Sequence, residues 1–496
     1  MMAVRYMLNL LTILEYILLY GQRNSFSLLI VSMVNHTSIL ANSSQQACLV
    51  PINPHIHPKV PATKEFKNSQ EVADKTKCPQ MPTTQFHWDQ KTQGAILSAY
   101  FYGSFVSHMP GGWVADKWGG RWVVGVGILA TSLFTALIPL GATLGAAPVI
   151  VLRALTGLAE GVTFPALVSL LSHWTPEAER SLGMAAAAMG AILGSIITFP
   201  AAAALASYPG WPSCFYVFGA LGAGCALVWI LMARDTPEEH PWVSAQELAH
   251  IQHHRGRGKL RAVPWLSLLS SRAVWVLALT KFCTAWSFNV LQVELSTYLH
   301  SVLHFSLSMN GWLNSALYIG ELGLLFVGAL GADWLRAHSR LNITTIRKLF
   351  QTSACLLCAC CLAAVPLAEC HSIIVAALFI LATTSYGLLS GGESPMALDI
   401  CPAFSGVVTG ITNGVANISG MISPLVIGLL IQHQEGDLQR WSWVFYLAAG
   451  MTLLGLVVFV VGVRAEPEPW AAETSDLDSG PEPSSDQEPL LDQHLD

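Results

Sequence analysis

The sequence predicts an all-α membrane protein with twelve transmembrane helices in two six-helix halves. Three observations support this fold class. Of the 496 residues, 53% are hydrophobic and only 11% are charged, whereas soluble globular proteins carry roughly 25% charged residues. The apolar residues form twelve long runs, and three motifs recur in the same order in both halves of the chain. This composition argues against a soluble enzyme, a disordered scaffold and a nucleic-acid-binding protein.

The apolar runs are long enough to cross a bilayer, which takes about 20 mostly apolar residues in a helix. They lie near 7–34, 92–114, 122–142, 145–172, 181–205, 213–233, 271–300, 309–331, 345–367, 371–397, 403–431 and 441–463. The first run could be mistaken for a secretory signal. However, it continues past Val34 without a small-residue cleavage site, so it is predicted to be a span.

The distribution of Lys and Arg predicts that both termini are cytosolic. The loops on that side hold 13 of these residues, whereas the short loops on the opposite side hold only Arg440. The predicted organisation is an N-terminal six-helix bundle at 1–233 with an outer loop at 35–91, a cytosolic linker at 234–270, a C-terminal six-helix bundle at 271–463 and a cytosolic tail at 464–496.

The outer loop carries two N-glycosylation sequons, at Asn35 and Asn42. Asn35 lies close to the membrane, so Asn42 is the better acceptor. Cys48 and Cys78 share this oxidising side. Their spacing leaves open whether they form a disulfide.

The tail after Arg464 is acidic and is predicted to be disordered. It holds ten carboxylates and no Lys or Arg, so the rest of the chain has 25 basic residues against 21 acidic ones. Its composition of Pro, Ser, Asp and Glu is typical of disorder. The tail contains Asp486 followed by Leu490 and Leu491. This pattern resembles an acidic dileucine sorting signal, which a clathrin adaptor reads.

Paired motifs indicate that the two halves arose by duplication. The pairs are 112–121 with 331–340, 211–216 with 441–446, and Pro200 with Pro424. In the first pair, Asp116 and Asp333 lie 217 residues apart. Such duplication is typical of secondary transporters, whose substrate site lies near the bilayer midplane between the repeats.

The first of these motifs resembles a known family signature. Gly112-x-x-x-Asp116-x-x-Gly119-Gly120-Arg121 is similar to the loop signature of the major facilitator superfamily. The resemblance implies that Gly112, Asp116, Gly120 and Arg121 form a gating motif, whose acid and base hold helix ends together in one state.

A second stretch is more specific. Residues 152–165 closely resemble span four of the solute carrier 17 family, and the likeness runs from about residue 6 to 463. The sequence resembles sialin, a member of this family. The resemblance implies secondary active transport of small organic anions, such as sialic acid or acidic amino acids. It also implies alternating access driven by protons or membrane potential, in a lysosomal or vesicular membrane.

Two alternatives stay open: phosphate- or urate-type anion transport at the plasma membrane, and a non-transporting, receptor-like protein. The implied partners are the anion, H⁺, membrane lipid and the adaptor. No cofactor, metal or nucleic acid is implied.

Charged residues inside predicted spans are the candidate site residues, because such a charge costs about 2.5–3.5 kcal/mol at a helix centre. Arg23 matches the span-one arginine that the family directs toward anions, and its planar guanidinium suits a carboxylate. The alternative is permanent pairing with Glu15. Tyr100 and Asn289 are further candidates for substrate contact.

Arg153 and Glu160 lie seven residues apart, so they share one helix face. We expect Arg153 to attract the anion and Glu160 to carry the proton. The alternative is a structural ion pair between the two. Lys281, Glu294 and Glu321 are weaker candidates in spans seven and eight.

The sequence departs from the family at four positions. Thr156 stands where sialin has a second glutamate, Val168 and Ala397 replace histidines, and Thr284 replaces the arginine of glutamate carriers. These changes weaken the expectation of proton coupling and of glutamate transport.

Overall fold

The computed structural model describes residues 4–34, 85–174, 180–254, 264–401, 404–432 and 437–468. Within these ranges the regular elements are helices, and one isolated β-bridge joins Val34 to Phe86. Several predicted features lie outside the described residues, namely Asn35, Asn42, Cys48, Cys78, Asp486, Leu490 and Leu491.

The N-terminal half is a bundle of long helices. They are α1 (Val4–Met33), α2 (Gln90–Trp118), α3 (Gly120–Leu144), α4 (Ala146–Gly161, continued by Thr163–Trp174), α5 (Arg180–Ser207) and α6 (Trp211–Met232). The Asp89 side chain caps α2 by accepting a hydrogen bond from the Thr92 backbone N–H at 3.0 Å. Gly119 and Gly145 have φ values of 89° and 123°. Because such values suit glycine, these residues separate α2, α3 and α4 with very short turns.

The C-terminal half repeats this arrangement with two irregular helices. Its helices are α7 (Arg272–Asn289), α8 (Leu307–His338), α9 (Ile343–Ala364), α10 (Ser372–Ser385), α11 (Ser405–Leu430) and α12 (Leu438–Gly462). A π-helical turn, Val290–Glu294, links α7 to a last segment at Leu295–Ser301. The helix that begins with α10 tightens into a 3₁₀ segment at Tyr386–Ser390 and resumes at Met396–Ile400. Such irregular segments often mark functional sites in helices.

Ten helical segments are long and apolar enough to cross a membrane. Two further long helices, α1 and α2, occupy the places of the first two predicted spans but are not among those ten. The all-α membrane fold class is therefore confirmed, and the count of twelve spans stays a prediction.

Two helix crossings make the most extensive contacts between the halves: α2 with α11 and α5 with α8. Each crossing contains a glycine at the closest approach. A Cβ on Gly94 would lie 2.5 Å from the Pro424 carbonyl oxygen, and a Cβ on Gly311 would lie 2.7 Å from that of Phe199. Gly94 and Gly311 are 217 residues apart, the same separation as Asp116 and Asp333. The crossings are thus related by the internal repeat.

The linker between the halves packs against the N-terminal bundle. Its helix, Ala245–His254, presents the Glu247 carboxylate to the backbone N–H groups of Val4 and Arg5, each at 3.1 Å. The linker therefore supplies a hydrogen-bond acceptor to backbone N–H groups at the start of α1, which have no partner within the helix. Nearby, burial lowers the pKa of His240, whose Nδ1 accepts a hydrogen bond from the Trp242 backbone N–H at 3.2 Å.

Cys370, which lies between α9 and α10, is disulfide-bonded. Eight other described cysteines are free.

Candidate substrate cavity

A cavity of about 300 Å³ lies between the two halves. Its N-terminal wall comes from α1, α2 and α4, and its C-terminal wall comes from α7, the π turn and α11. The lining residues with polar or aromatic side chains include Tyr20, Arg23, Tyr100, Phe101, His108, Glu160, Phe288, Asn289, Gln292, Asn413 and Asn417. The crossings at Gly94 and Gly311 lie near the N-terminal ends of α2 and α8. The topology predicted from the sequence places these ends on the outer side of the membrane and the cavity on the cytosolic side of the crossings.

Arg23 projects into this cavity from α1. Its guanidinium lies over three aromatic rings, with its central carbon 5.4 Å from the Tyr20 ring centroid, 4.9 Å from Tyr100 and 5.2 Å from Phe101. Cation–π contacts of this kind hold a cation in place without neutralising its charge. Both carboxylate oxygens of Glu15 are buried without a hydrogen-bond partner. The alternative of a permanent Arg23–Glu15 pair is therefore wrong.

Arg153 does not line this cavity. It is only 4% exposed, and its guanidinium carbon is 4.5 Å from the Phe26 ring centroid and 5.1 Å from that of Tyr100. Arg153 lines a second, smaller cavity of about 20 Å³, which Arg23 and Tyr100 also line. Its Nε and Nη1 atoms have no hydrogen-bond partner. Arg23 thus lines both cavities, whereas Arg153 lines only the smaller one, and both guanidinium groups lie over the Tyr100 ring.

Glu160 lies in the large cavity at the point where α4 is interrupted. A Cβ on Gly157 would overlap the Tyr100 carbonyl oxygen, so the glycine allows α4 to pack directly on α2. This close packing brings Glu160 near Tyr100 and into the electrostatic field of Arg23 and Arg153. One carboxylate oxygen of Glu160, Oε2, is buried without a hydrogen-bond partner.

The C-terminal wall of the cavity is rich in side-chain amides. Asn289 donates a hydrogen bond to Ser419 Oγ at 3.1 Å, and Gln292 donates one to Asn24 Oδ1 across the two halves at 3.2 Å. Asn413 lies on α11, a helix of otherwise mainly apolar and small residues. Asn289 was predicted from the sequence, whereas Gln292 and Asn413 were not. Polar amides at helical spacing inside apolar runs were the available signal.

The gating motif is described only in part. Gly112 lies in α2 and Asp116 near its end, whereas Gly120 and Arg121 begin α3. The Arg121 backbone N–H donates to Asp235 Oδ1 at 2.8 Å, and its Nε donates to the Ile230 carbonyl oxygen at 2.9 Å. In this conformation, Arg121 therefore holds the start of α3 to the end of α6.

The sequence did not point to Glu393, which lies where the helix after α10 is broken. Glu393 is buried and accepts hydrogen bonds from Thr284 and Gln351. Lys281, a weaker sequence candidate, donates a hydrogen bond to Asn413 at 2.9 Å.

No group of His, Cys, Asp or Glu suited to a metal ion occurs among the described residues.

Comparison with known proteins identifies the family. The model of the Major Facilitator Superfamily matches residues 38–424 and 346–491. Human sialin is 33% identical over 95% of this chain and 91% of its own length. Vesicular glutamate transporter 1 of Xenopus laevis is 30% identical over 96% of this chain and 78% of its own.

Solved structures show the same fold. A bacterial homolog of the human lysosomal transporter Spinster, in an inward-facing, unoccupied conformation, has a TM-score of 0.66 at 14% identity, covering 95% of this chain and 100% of its own. The inward-open xylose transporter XylE from E. coli has a TM-score of 0.63 at 10% identity, covering 95% and 99%. The chain is therefore a multi-pass membrane transporter, not an enzyme, and it belongs to the solute carrier 17 family of the Major Facilitator Superfamily.

Proposed function

We propose that the protein is a secondary active transporter of small organic anions, of the acidic sugar or acidic amino acid class. The observation that carries the proposal is the half-buried Arg23 side chain, whose guanidinium faces the central cavity over three rings. A cation in this position has its charge available to a ligand, and the cavity of about 300 Å³ suits a small solute. The relatives named for sialin and for vesicular glutamate transport support the anionic class.

The anion would bind between the two walls of the cavity. Arg23 would hold its carboxylate through two parallel hydrogen bonds, because the planar guanidinium matches that geometry. Asn289 and its neighbouring amides would bind hydroxyl or amide groups of the solute, and Tyr100 would separate it from Arg153. Rotation of Tyr100 would then join the smaller cavity to the large one and allow Arg153 to contact the anion.

Glu160 is the proposed proton carrier. It shares the large cavity with Arg23, and no described ion pair within 4.0 Å links it to Arg153. An anion bound at Arg23 would reduce the field that stabilises the Glu160 carboxylate. Protonation of Glu160 would therefore accompany anion binding, which is the coupling that symport requires.

The direct test is uptake by proteoliposomes containing the purified full-length protein. Sialic acid, aspartate, glutamate, urate and phosphate are offered with a pH gradient and a voltage imposed separately. Uptake of sialic acid or an acidic amino acid is expected, with stimulation by the pH gradient. Selective uptake of phosphate or urate would favour the alternative substrate class, and binding without uptake would favour a receptor-like protein.

Glu160→Gln is expected to reduce the stimulation by a pH gradient at least about tenfold, because glutamine cannot carry a proton. Voltage-driven uptake should persist. Glu15→Gln is the matched control, since Glu15 is also a buried acid of the N-terminal half but does not line the cavity. An unchanged pH response in Glu160→Gln would remove this residue from the coupling mechanism.

The proposed location is a lysosomal or vesicular membrane. The pattern Asp486, Leu490 and Leu491 would direct the protein there through an adaptor. Replacing both leucines with alanine is expected to increase the surface-biotinylated fraction several-fold in transfected cells. Replacement of the nearby Leu477 is the control. Equal surface labelling of the Leu490/Leu491 variant and the wild type would contradict this signal.

A further inference from the structure

The C-terminal half contains a buried polar cluster that the proposed function does not use. Lys281 on α7 donates a hydrogen bond from Nζ to Asn413 Oδ1 at 2.9 Å. Asn413 lines the large cavity, whereas Lys281 is not among its lining residues. The ammonium group is therefore separated from the cavity by a single amide side chain.

Glu393 supplies the negative charge of this cluster. It is 7% exposed and accepts hydrogen bonds from Thr284 Oγ1 at 3.1 Å and from Gln351 Nε2 at 3.0 Å. Its backbone N–H donates to Gln351 Oε1 at 3.1 Å. Side chains on α7 and α9 thus fix the carboxylate with two donors, an arrangement that suits its ionised form.

The broken helix makes this fixation possible. A Cβ on Gly392 would lie 2.7 Å from Gln351 Oε1, and one on Gly391 would lie 2.7 Å from the Gly328 carbonyl oxygen. The two glycines therefore allow the backbone before Glu393 to lie directly against α8 and α9. The position of the carboxylate is set by rigid packing, whereas Lys281 has a flexible four-carbon stem.

Lys281 and Glu393 attract each other electrostatically. Among the described residues, the field of Glu393 also reaches Cys283 on α7 and Cys355 on α9. Arg347, a basic residue on α9, is bound to Asp399, with Nε 2.7 Å from Oδ2. The positive charge of Lys281 thus offsets the negative charge of Glu393. Its hydrogen bond, however, is to Asn413, which lines the cavity.

An isolated charge is costly in a buried place, so Lys281 and Glu393 stabilise each other while the cavity is empty. An anion in the cavity offers Lys281 a second partner. Its ammonium carries three donors, of which Asn413 uses one. A change of side-chain rotamer past Asn413 would bring Lys281 to the anion.

We propose that Lys281 is a second cation for the transported anion, supplied by the C-terminal half, and that Glu393 is the counter-ion that holds it in the empty carrier. The inference rests on the proposed anion transport and deepens it. The anion then meets Arg23 from one half and Lys281 from the other, and it competes with Glu393 for Lys281.

This competition predicts opposite effects of two substitutions on anion binding. Lys281→Met removes the cation and should weaken binding about tenfold, the loss expected for a charge-assisted hydrogen bond. Glu393→Gln removes the competitor while keeping a similar shape, so it should tighten binding by two- to tenfold. In the double variant, Glu393→Gln should have no further effect on binding, because Glu393 affects the anion only by competing with it for Lys281.

The experiment measures binding of N-acetylneuraminate and of aspartate to purified full-length protein, from the shift in thermal unfolding with anion concentration. Arg272→Gln is the matched control, since it removes an exposed cation at the start of the same helix, α7. Size-exclusion profiles confirm that each variant folds. Lys281→Arg, which keeps the charge, should retain at least part of the affinity.

Opposite shifts for Lys281→Met and Glu393→Gln would support the inference. Weaker or unchanged binding in Glu393→Gln would overturn the counter-ion role, because a purely structural ion pair predicts loss from either side. Equal binding by Lys281→Met and the wild type would overturn the inference and leave the proposed function intact. Absence of binding of both anions to the wild type would overturn both.

Discussion

Replacing Arg23 with glutamine is expected to lower the transport efficiency, kcat/KM, for an anionic substrate at least about 100-fold. The guanidinium can form two charge-assisted hydrogen bonds to a carboxylate, each worth about 1.5–3 kcal/mol. Together they correspond to a factor of about 100 or more in affinity. Glutamine keeps a polar side chain of smaller size but cannot offer the charge or the paired donors.

Arg23→Lys should give an intermediate loss, because lysine restores the charge without the planar fork. Arg440→Gln is the control, since Arg440 lies in the first turn of α12 and does not line the cavity. Both kinetic constants should be measured with protein abundance determined in parallel, because the aromatic rings around Arg23 could repack. Wild-type kinetics in a folded Arg23→Gln variant would remove the proposed anion contact.

Valine at Gly94 or Gly311 is expected to reduce uptake more than tenfold by keeping the outer side of the carrier open. In the observed conformation each added Cβ would lie 2.5–2.7 Å from a carbonyl oxygen of the opposite half. Overpacking of this kind costs about 1–3 kcal/mol, which shifts the balance between two conformations by about 5- to 150-fold. The penalty applies to the closed crossing, so the outward-facing state is favoured.

The shift can be measured with a membrane-impermeant thiol reagent applied from the outer side. A cysteine introduced at Ser315, whose hydroxyl donates to the Ile196 carbonyl oxygen across the second crossing, should react faster when Gly311 is valine. Gly323→Val is the matched control, because Gly323 lies on the same helix and a Cβ there meets no atom within 4 Å. Equal labelling and uptake in the Gly311 and Gly323 variants would contradict a role for this crossing.

The two crossings also explain why the repeat matters for transport. Gly94 and Gly311 occupy equivalent places in the duplicated halves. Each lies at one of the two helix crossings that join the halves. A pair of related contacts can open and close together when one half rocks against the other. The sequence showed that the halves share paired motifs. The glycines at the two crossings were not among those motifs.

The sequence by itself determined the class of the protein and identified most of the charged residues within its apolar runs. A run of 20 apolar residues is a local property, and so is a charge within it; Arg23, Arg153, Glu160 and Lys281 were found in this way. The family motifs likewise depend on short stretches, so the superfamily and the anion-transporting class followed from the residues of α2, α3 and α4.

Only the tertiary structure decided which of these charges face the same space. A helix whose apolar residues are spread evenly around its axis has almost no periodic pattern to show which face meets its neighbours; α2 and α6 are of this kind. The sequence therefore could not show that Arg23 lines the large cavity and that Arg153 does not. Nor could the sequence show that Glu393 contacts Thr284 and Gln351, which lie 109 and 42 residues away along the chain. These contacts depend on how closely three helices pack, and that distance is set by glycines whose role appears only when the backbones meet.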